Sequence, residues 1–143
     1  LLPALPLIGG GRTRFQPVYV ADVAAAIANA IENPATRGRT YELGGPAVYS
    51  FKALLERMLK EIGRRRLLLP LPFPIARIQA TALALMPVPP LTRDQVRLLQ
   101  RDNVVAHGAL TIADLGVAPT ALDLVLPTYL ARYRPGGRHA RAA

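Results

Sequence analysis

Apolar residues recur along this chain with two different periods, and the switches between them divide it into short elements. In "PVYVADVAAAIANAIENP", Val18 to Val20 form a β-branched and aromatic run bounded by Pro17, which predicts a short strand. Past Asp22 the period lengthens. Val23, Ile27 and Ile31 return every four residues, the spacing of one helix face. Asn33-Pro34 ends that helix, because proline keeps the preceding residue out of the α region. Asp22 then falls at the N-cap, where its carboxylate accepts from the free amides of Ala24 or Ala25 and meets the positive end of the helix dipole.

Further on, "GRTYELGGP" predicts a strand over Arg39 to Leu43, ended by a Gly-Gly-Pro turn. Ser50 caps a second helix whose apolar stripe is Phe51, Leu54, Leu55, Met58, Leu59 and Ile62. Gly63 supplies its left-handed end, and Arg64 to Arg66 follow at the negative pole. "LLLPLPFP" reads as extended, and Pro74 opens a third helix expected to run to about Met86. Thr92 with Gln95 forms a capping box for a fourth helix, and "TIADLG" is a single capped turn. Thr120 caps a last helix, broken or kinked near Pro127. Gly136 to Ala143 are basic and expected to be disordered. Two strands among five or six helical segments make an α/β pattern with too little sheet for an independent α/β domain, which suggests the downstream part of a longer protein.

Composition narrows the function. The 143 residues are 51% hydrophobic, enough for one ordinary core. Lys+Arg number 18 against 9 acids, and lysine occurs only at Lys52 and Lys60. With no cysteine there is neither a disulfide framework nor a thiolate site. His107 and His139 are too far apart for metal-ligand spacing. The most apolar stretch, Leu67 to Leu91, is interrupted by Arg77 and several prolines, which argues against a spanning helix. Its burial as ordinary core is the expectation; exposed, it would be a partner or membrane-surface patch.

Candidate chemistry is sparse. "GGGRT" at Gly9 to Thr13 lacks the G-x-G-x-x-G spacing of a dinucleotide loop, has no evident strand before it, and reads as a flexible loop. No Tyr-x-x-x-Lys pair occurs: Tyr49 precedes Lys52 by one residue too few. The acids are too scattered for a paired-carboxylate site, and nothing near His107 would orient it as a base. The arginines lack the aromatic interleaving of a nucleic-acid face. An acidic partner or an anionic membrane surface explains the +9 charge as well.

Three stretches carry a resemblance. "VYVADVAAAI", "TYELGGPAVYSFKALLERMLKEIG" and "DLGVAPTALDLVLPTYLARY" resemble the later Rossmann region and closing segments of extended and atypical short-chain dehydrogenase/reductases. "FQPVYVADVA", "DQVRLLQRDNVV" and "RYRPGG" are most similar to one branch, the nucleotide-binding accessory subunits of respiratory complex I (alpha subcomplex subunit nine) with their alphaproteobacterial relatives. The resemblance covers nearly the whole chain. It implies the C-terminal, substrate-type part of a Rossmann-type α/β fold over residues 1–135, with the Gly-rich dinucleotide loop and any Tyr-x-x-x-Lys lying upstream.

It also implies a non-catalytic accessory or assembly role, with NADPH held structurally by the full-length protein and none by this chain alone. Phe15, Gln16 and Pro17 match the loop that approaches the cofactor from the C-terminal half. The implied partners are complex I subunits and the membrane surface, without specific nucleic acid binding. The implied location is peripheral, on the cytoplasmic side of a bacterial inner membrane, or the matrix side in eukaryotic relatives. The alternatives are an NAD(P)-dependent epimerase or reductase acting on a nucleotide-sugar or lipid-linked substrate, and a basic membrane- or nucleic-acid-binding module. The expectation for the chain alone is marginal stability or self-association, through uncovered strand edges.

Overall fold

A computed structural model describes residues 4–83 and 91–135. In chain order the elements are β1 (Ala4–Ile8), β2 (Arg14–Phe15), α1 (Val20–Glu32), β3 (Tyr41–Glu42), β4 (Tyr49–Ser50) and α2 (Phe51–Glu61). There follow β5 (Leu67–Leu71), α3 (Phe73–Leu83), α4 (Arg93–Leu98), β6 (Leu110–Thr111) and α5 (Leu122–Leu130). The fold is mixed α/β with short strands, and more of them than the two expected. The chain divides into two units, Leu1–Arg14 with Ser50–Asn103 and Phe15–Tyr49 with Val104–Ala143, and passes from one to the other three times.

In the first unit β1 pairs with β5 in parallel, Ala4 opposite Leu67 and Ile8 opposite Leu71. Prolines at 6 and 70 lie within this ladder, a position tolerated where the missing amide would face outward on an edge. The strand β1 has no signal in the sequence beyond an apolar run, because Pro6 interrupts it and polar residues do not alternate along it. The core is small: Ile8, Ala76, Ala80 and Val96 are buried, with Leu71, Phe73, Leu91 and Leu99 packed against them. Ala76 and Ala80, one turn apart, let α3 approach closely, while Ile75 and Ile78 of the same helix face outward. Burial of the stretch from Leu67 onward is thus overturned in part. Its small residues are inside, and Leu67, Leu69, Ile75 and Ile78 are exposed. The expected end of the third helix near Met86 lies outside the described residues.

Three helix starts follow the expected chemistry. Ser50 Oγ accepts from the Ala53 amide 3.1 Å away. Thr92 and Gln95 form both halves of a capping box. Pro74 sits in the first turn of α3. Gly63 ends α2 with φ +65°, and the Arg64 amide reaches back to the Leu59 carbonyl. The α2 stripe is only half-buried, and no residue of that helix is fully enclosed.

In the second unit β3 pairs in parallel with β6, Tyr41 opposite Leu110. The strand expected over Arg39 to Leu43 shrinks to two residues, because its partner is equally short. Ala26, Ile112 and Leu115 form the core, with Val18, Ala30, Tyr41, Leu43 and Val117 around them. The expected strand Val18–Val20 is absent: Val18 and Tyr19 are irregular and Val20 opens α1. Local β propensity loses here to the helical period that begins with Val20. The stripe Val23, Ile27, Ile31 is also not the buried face. Ala26 and Ala30 pack inward, leaving Ile27 and Ile31 53% and 79% exposed.

Two caps differ from expectation. Tyr19 is the N-cap of α1, with no side-chain bond, and Asp22 lies within the first turn. Ala121 rather than Thr120 precedes α5, and that helix continues through Pro127 to Leu130. Residues 136–143, expected to be disordered, lie outside the described residues.

Candidate functional site

Of the residues singled out by the sequence, Phe15 ends β2, and Gln16 and Pro17 follow it before α1, all three in the second unit. Gln16 is the organiser of that stretch. Its Nε2 donates to the Gly45 carbonyl at 2.8 Å, and its Oε1 accepts from the Val105 amide at 3.0 Å. One side chain thereby joins three loops distant in sequence. Gly44 and Gly45 are required beside it. A β-carbon on Gly44 would meet the Gln16 amide group, and one on Gly45 would collide with the Pro17 carbonyl oxygen. The Gly-Gly of the predicted turn is therefore a close approach of two backbones as well as a strand end.

Next to this loop is a cavity of about 250 Å³, lined by Pro17, Val18, Tyr19, Leu122, Val125 and Tyr129 among others. Its lining is mostly apolar side chains, with Thr120 the residue that ties it to α1. Asp22 does this tying. Its Oδ2 accepts from the Thr120 amide at 2.6 Å and its Oδ1 from the Thr120 hydroxyl at 3.0 Å. The reading of Asp22 as a helix cap is therefore corrected. Its carboxylate points away from its own helix to the segment before α5. The signal that could have found this is the threonine itself, a hydroxyl and an amide two residues ahead of a helix.

In the first unit a second clasp involves the neighbouring residues. The Thr13 hydroxyl, on a buried residue, donates to the Leu99 carbonyl. Arg14 binds Asp102 twice, through its amide and its Nε, both at 2.8 Å, and the Asn103 amide returns to the Arg14 carbonyl at 2.8 Å. These bonds, the backbone amide first and the guanidinium second, hold the Asp102 carboxyl below its usual value. Asp114 is likewise held low, by the amide and then the hydroxyl of Thr111. The sequence motif "DQVRLLQRDNVV" thus works as a strap: Leu99, Asp102 and Asn103 each bind residue 13 or 14.

The triple glycine Gly9–Gly11 follows β1 directly, and all three residues have positive φ. β-Carbons at Gly9 and Gly11 would meet the Phe73 ring and the Leu7 side chain. At those two glycines the turn permits close packing. His107 is exposed and makes no hydrogen bond among the described residues. The described residues hold no group of three or more metal-ligating side chains. No helix among them is long and apolar enough to cross a membrane.

For a dinucleotide, Phe15, Gln16 and Pro17 fit only as an edge. The Gln16 amide is already engaged within the unit, and no buried side-chain polar atom among the described residues is left without a partner.

No family model matches the chain. Among known proteins it is 42% identical over 143 residues to "NADH dehydrogenase (ubiquinone) 1 alpha subcomplex subunit 9, mitochondrial" of Arabidopsis thaliana, covering 93% of this chain and 36% of that protein. The protein of the same name from Rattus norvegicus is 36% identical over 133 residues, covering 92% and 35%. A shorter match, 44% identical over 70 residues, covers 48% of this chain and 18% of "Cyclin-B1-2" from Oryza sativa subsp. japonica. The two long matches extend through both units, and the chain spans about a third of the length of these relatives. By sequence, then, most of the chain is similar to about a third of the length of the NADH dehydrogenase (ubiquinone) 1 alpha subcomplex subunit 9 proteins.

Proposed function

We propose that this chain is the C-terminal, substrate-type part of a complex I accessory or assembly protein built on an atypical short-chain dehydrogenase/reductase fold. Its work is packing and docking, without catalysis. The observation that carries this reading is the uncovered face of α1, where Val20, Ile27 and Ile31 stand 63%, 53% and 79% exposed in one stripe. A stripe of large apolar residues that its own unit does not cover marks a surface for another protein surface. Covering each of these residues would be worth roughly 1–2 kcal/mol. Its polar side chains support the same reading, because Gln16, Asp22, Arg14 and Asp102 are spent on holding segments together.

In the full-length protein, NADPH would be a structural ligand, with Phe15 and Pro17 giving apolar contact at its edge and Gln16 keeping the loop in shape. The bound dinucleotide would supply rigidity rather than hydride chemistry. The placement proposed with it is peripheral, on the cytoplasmic side of a bacterial inner membrane; the relatives' names support complex I subunits as partners, and the +9 charge supports an anionic membrane surface nearby. The experiment is native electrophoresis of solubilised membranes carrying an epitope on this chain. Co-migration with the NADH-oxidising complex is expected, and migration wholly apart from it would refute the reading.

A further inference from the structure

On the first unit, α2 and the segment after it wall a groove of about 760 Å³. Lys52, Lys60, Arg64, Arg65 and Arg66 line it, against a single carboxylate, Glu56. Glu56 is 3.7 Å from Lys52 and leaves the other four cations unbalanced. Among the described residues Lys60, Arg64 and Arg65 make no side-chain hydrogen bond or ion pair, and Arg66 donates only to the Arg65 carbonyl at 3.3 Å. Offsetting the negative end of α2 needs about half a charge, so four unpaired cations exceed any role at the helix end. Crowded like charges raise one another's energy, and a bound anion relieves that.

Beside the cations the lining turns apolar, with Leu59, Leu67 and Leu68. Leu67 is 69% exposed and Leu69 53%, two residues apart on β5 and therefore on one side of the strand. Guanidinium groups match phosphate oxygens in forked pairs, while exposed leucines on the same surface match hydrocarbon. We propose that this groove binds the phosphate headgroup of an anionic phospholipid, with Leu67 and Leu69 against its acyl region. A second copy of this chain, itself at +9, has the wrong sign to occupy it.

The inference rests on the peripheral placement proposed above only in requiring a membrane nearby. Vesicle binding by the 143-residue chain reads the groove and co-migration with complex I reads the accessory role, so either can fail alone. The test is co-sedimentation with phosphatidylcholine vesicles, plain or doped with phosphatidylglycerol, at physiological salt. Binding to the doped vesicles is expected, falling about a hundredfold in the R64Q/R65Q/R66Q variant, since each cation near an anionic surface is worth about fivefold. The R37Q/R39Q/R132Q variant loses the same charge from exposed sites elsewhere and should bind as before. L67S/L69S, with charge unchanged, should also weaken binding. Circular dichroism checks folding, and where the triple variant unfolds, R65Q alone should lose about fivefold. Equal loss in both charge variants would reduce the effect to net charge and overturn the proposal. So would no binding to doped vesicles, displacement by glycerol phosphate at equal concentration, or tighter binding to an acidic peptide.

Discussion

Asp22 and Thr120, 98 positions apart, are joined by two hydrogen bonds to one carboxylate, from the Thr120 amide at 2.6 Å and its hydroxyl at 3.0 Å. This couples the first turn of α1 to the segment that leads into α5, and it borders the apolar cavity that Thr120 helps to line. Bonds to a charged acceptor are worth about 1.5–3 kcal/mol when partly buried. Asp22→Ala should therefore destabilise by about 2 kcal/mol, more than a cap would. In denaturant titrations, Thr120→Val should add little on top of it. Additive losses would show that the two residues act independently.

Gln16 uses both ends of its amide, so the isosteric change Gln16→Glu is instructive. The carboxylate can still accept from the Val105 amide but faces the Gly45 carbonyl with an oxygen instead of a donor. A loss of about 1–3 kcal/mol is expected from the unmade bond. Thermal unfolding followed by circular dichroism would register it, and an unchanged midpoint would mean that the loop does not depend on this amide.

Gly45→Ala places a methyl group on the Pro17 carbonyl oxygen, backbone against backbone. Neither group can swing aside as a flexible side chain can, so a loss of about 3 kcal/mol or more is expected. Gly44→Ala meets the side chains of Val105 and Gln16 first, which can shift, and should cost less. Comparing the denaturation midpoints of the two variants checks this order.

Asp102 has a folded pKa below its ordinary 3.8. A carboxyl depressed in the folded state contributes stability that is present above the unfolded value and is lost as pH falls through the folded value. Acid should therefore weaken the strap below pH of about 4. Asp102→Asn should flatten the acid limb of the stability profile, read by urea titrations at stepped pH. Asp114, depressed by Thr111, should behave in the same way in the second unit.

The exposed stripe of α1, proposed as a docking face, can be tested apart from folding. Ile27→Ser with Ile31→Ser should alter the stability of the chain by no more than about 0.5 kcal/mol, since neither side chain is enclosed. The same pair should reduce co-migration with complex I. A large stability loss with unchanged association would reverse the assignment of that face.

Local chemistry made part of this protein legible from its residues. Ser50, the Thr92–Gln95 box and Gly63 act within three or four residues of themselves, so their roles follow from order alone. The family stretches at 15–24 and 94–105 could be recognised, because a pattern of residue types survives without coordinates. What these two regions do for one another could not, since Thr13 with Leu99, Arg14 with Asp102 and Gln16 with Val105 are joined across more than eighty positions. Burial was the other quantity that order could not supply. Periodicity showed that Ile27 and Ile31 share a face, but only packing decided that Ala26 and Ala30 go inward, because two alanines let the helix approach its small core where isoleucines would hold it off. Asp22 shows the limit most clearly. An acid before a helical run invites a cap, yet its carboxylate reaches a threonine that the sequence places 98 residues away, and only the folded chain brings that donor within 3 Å.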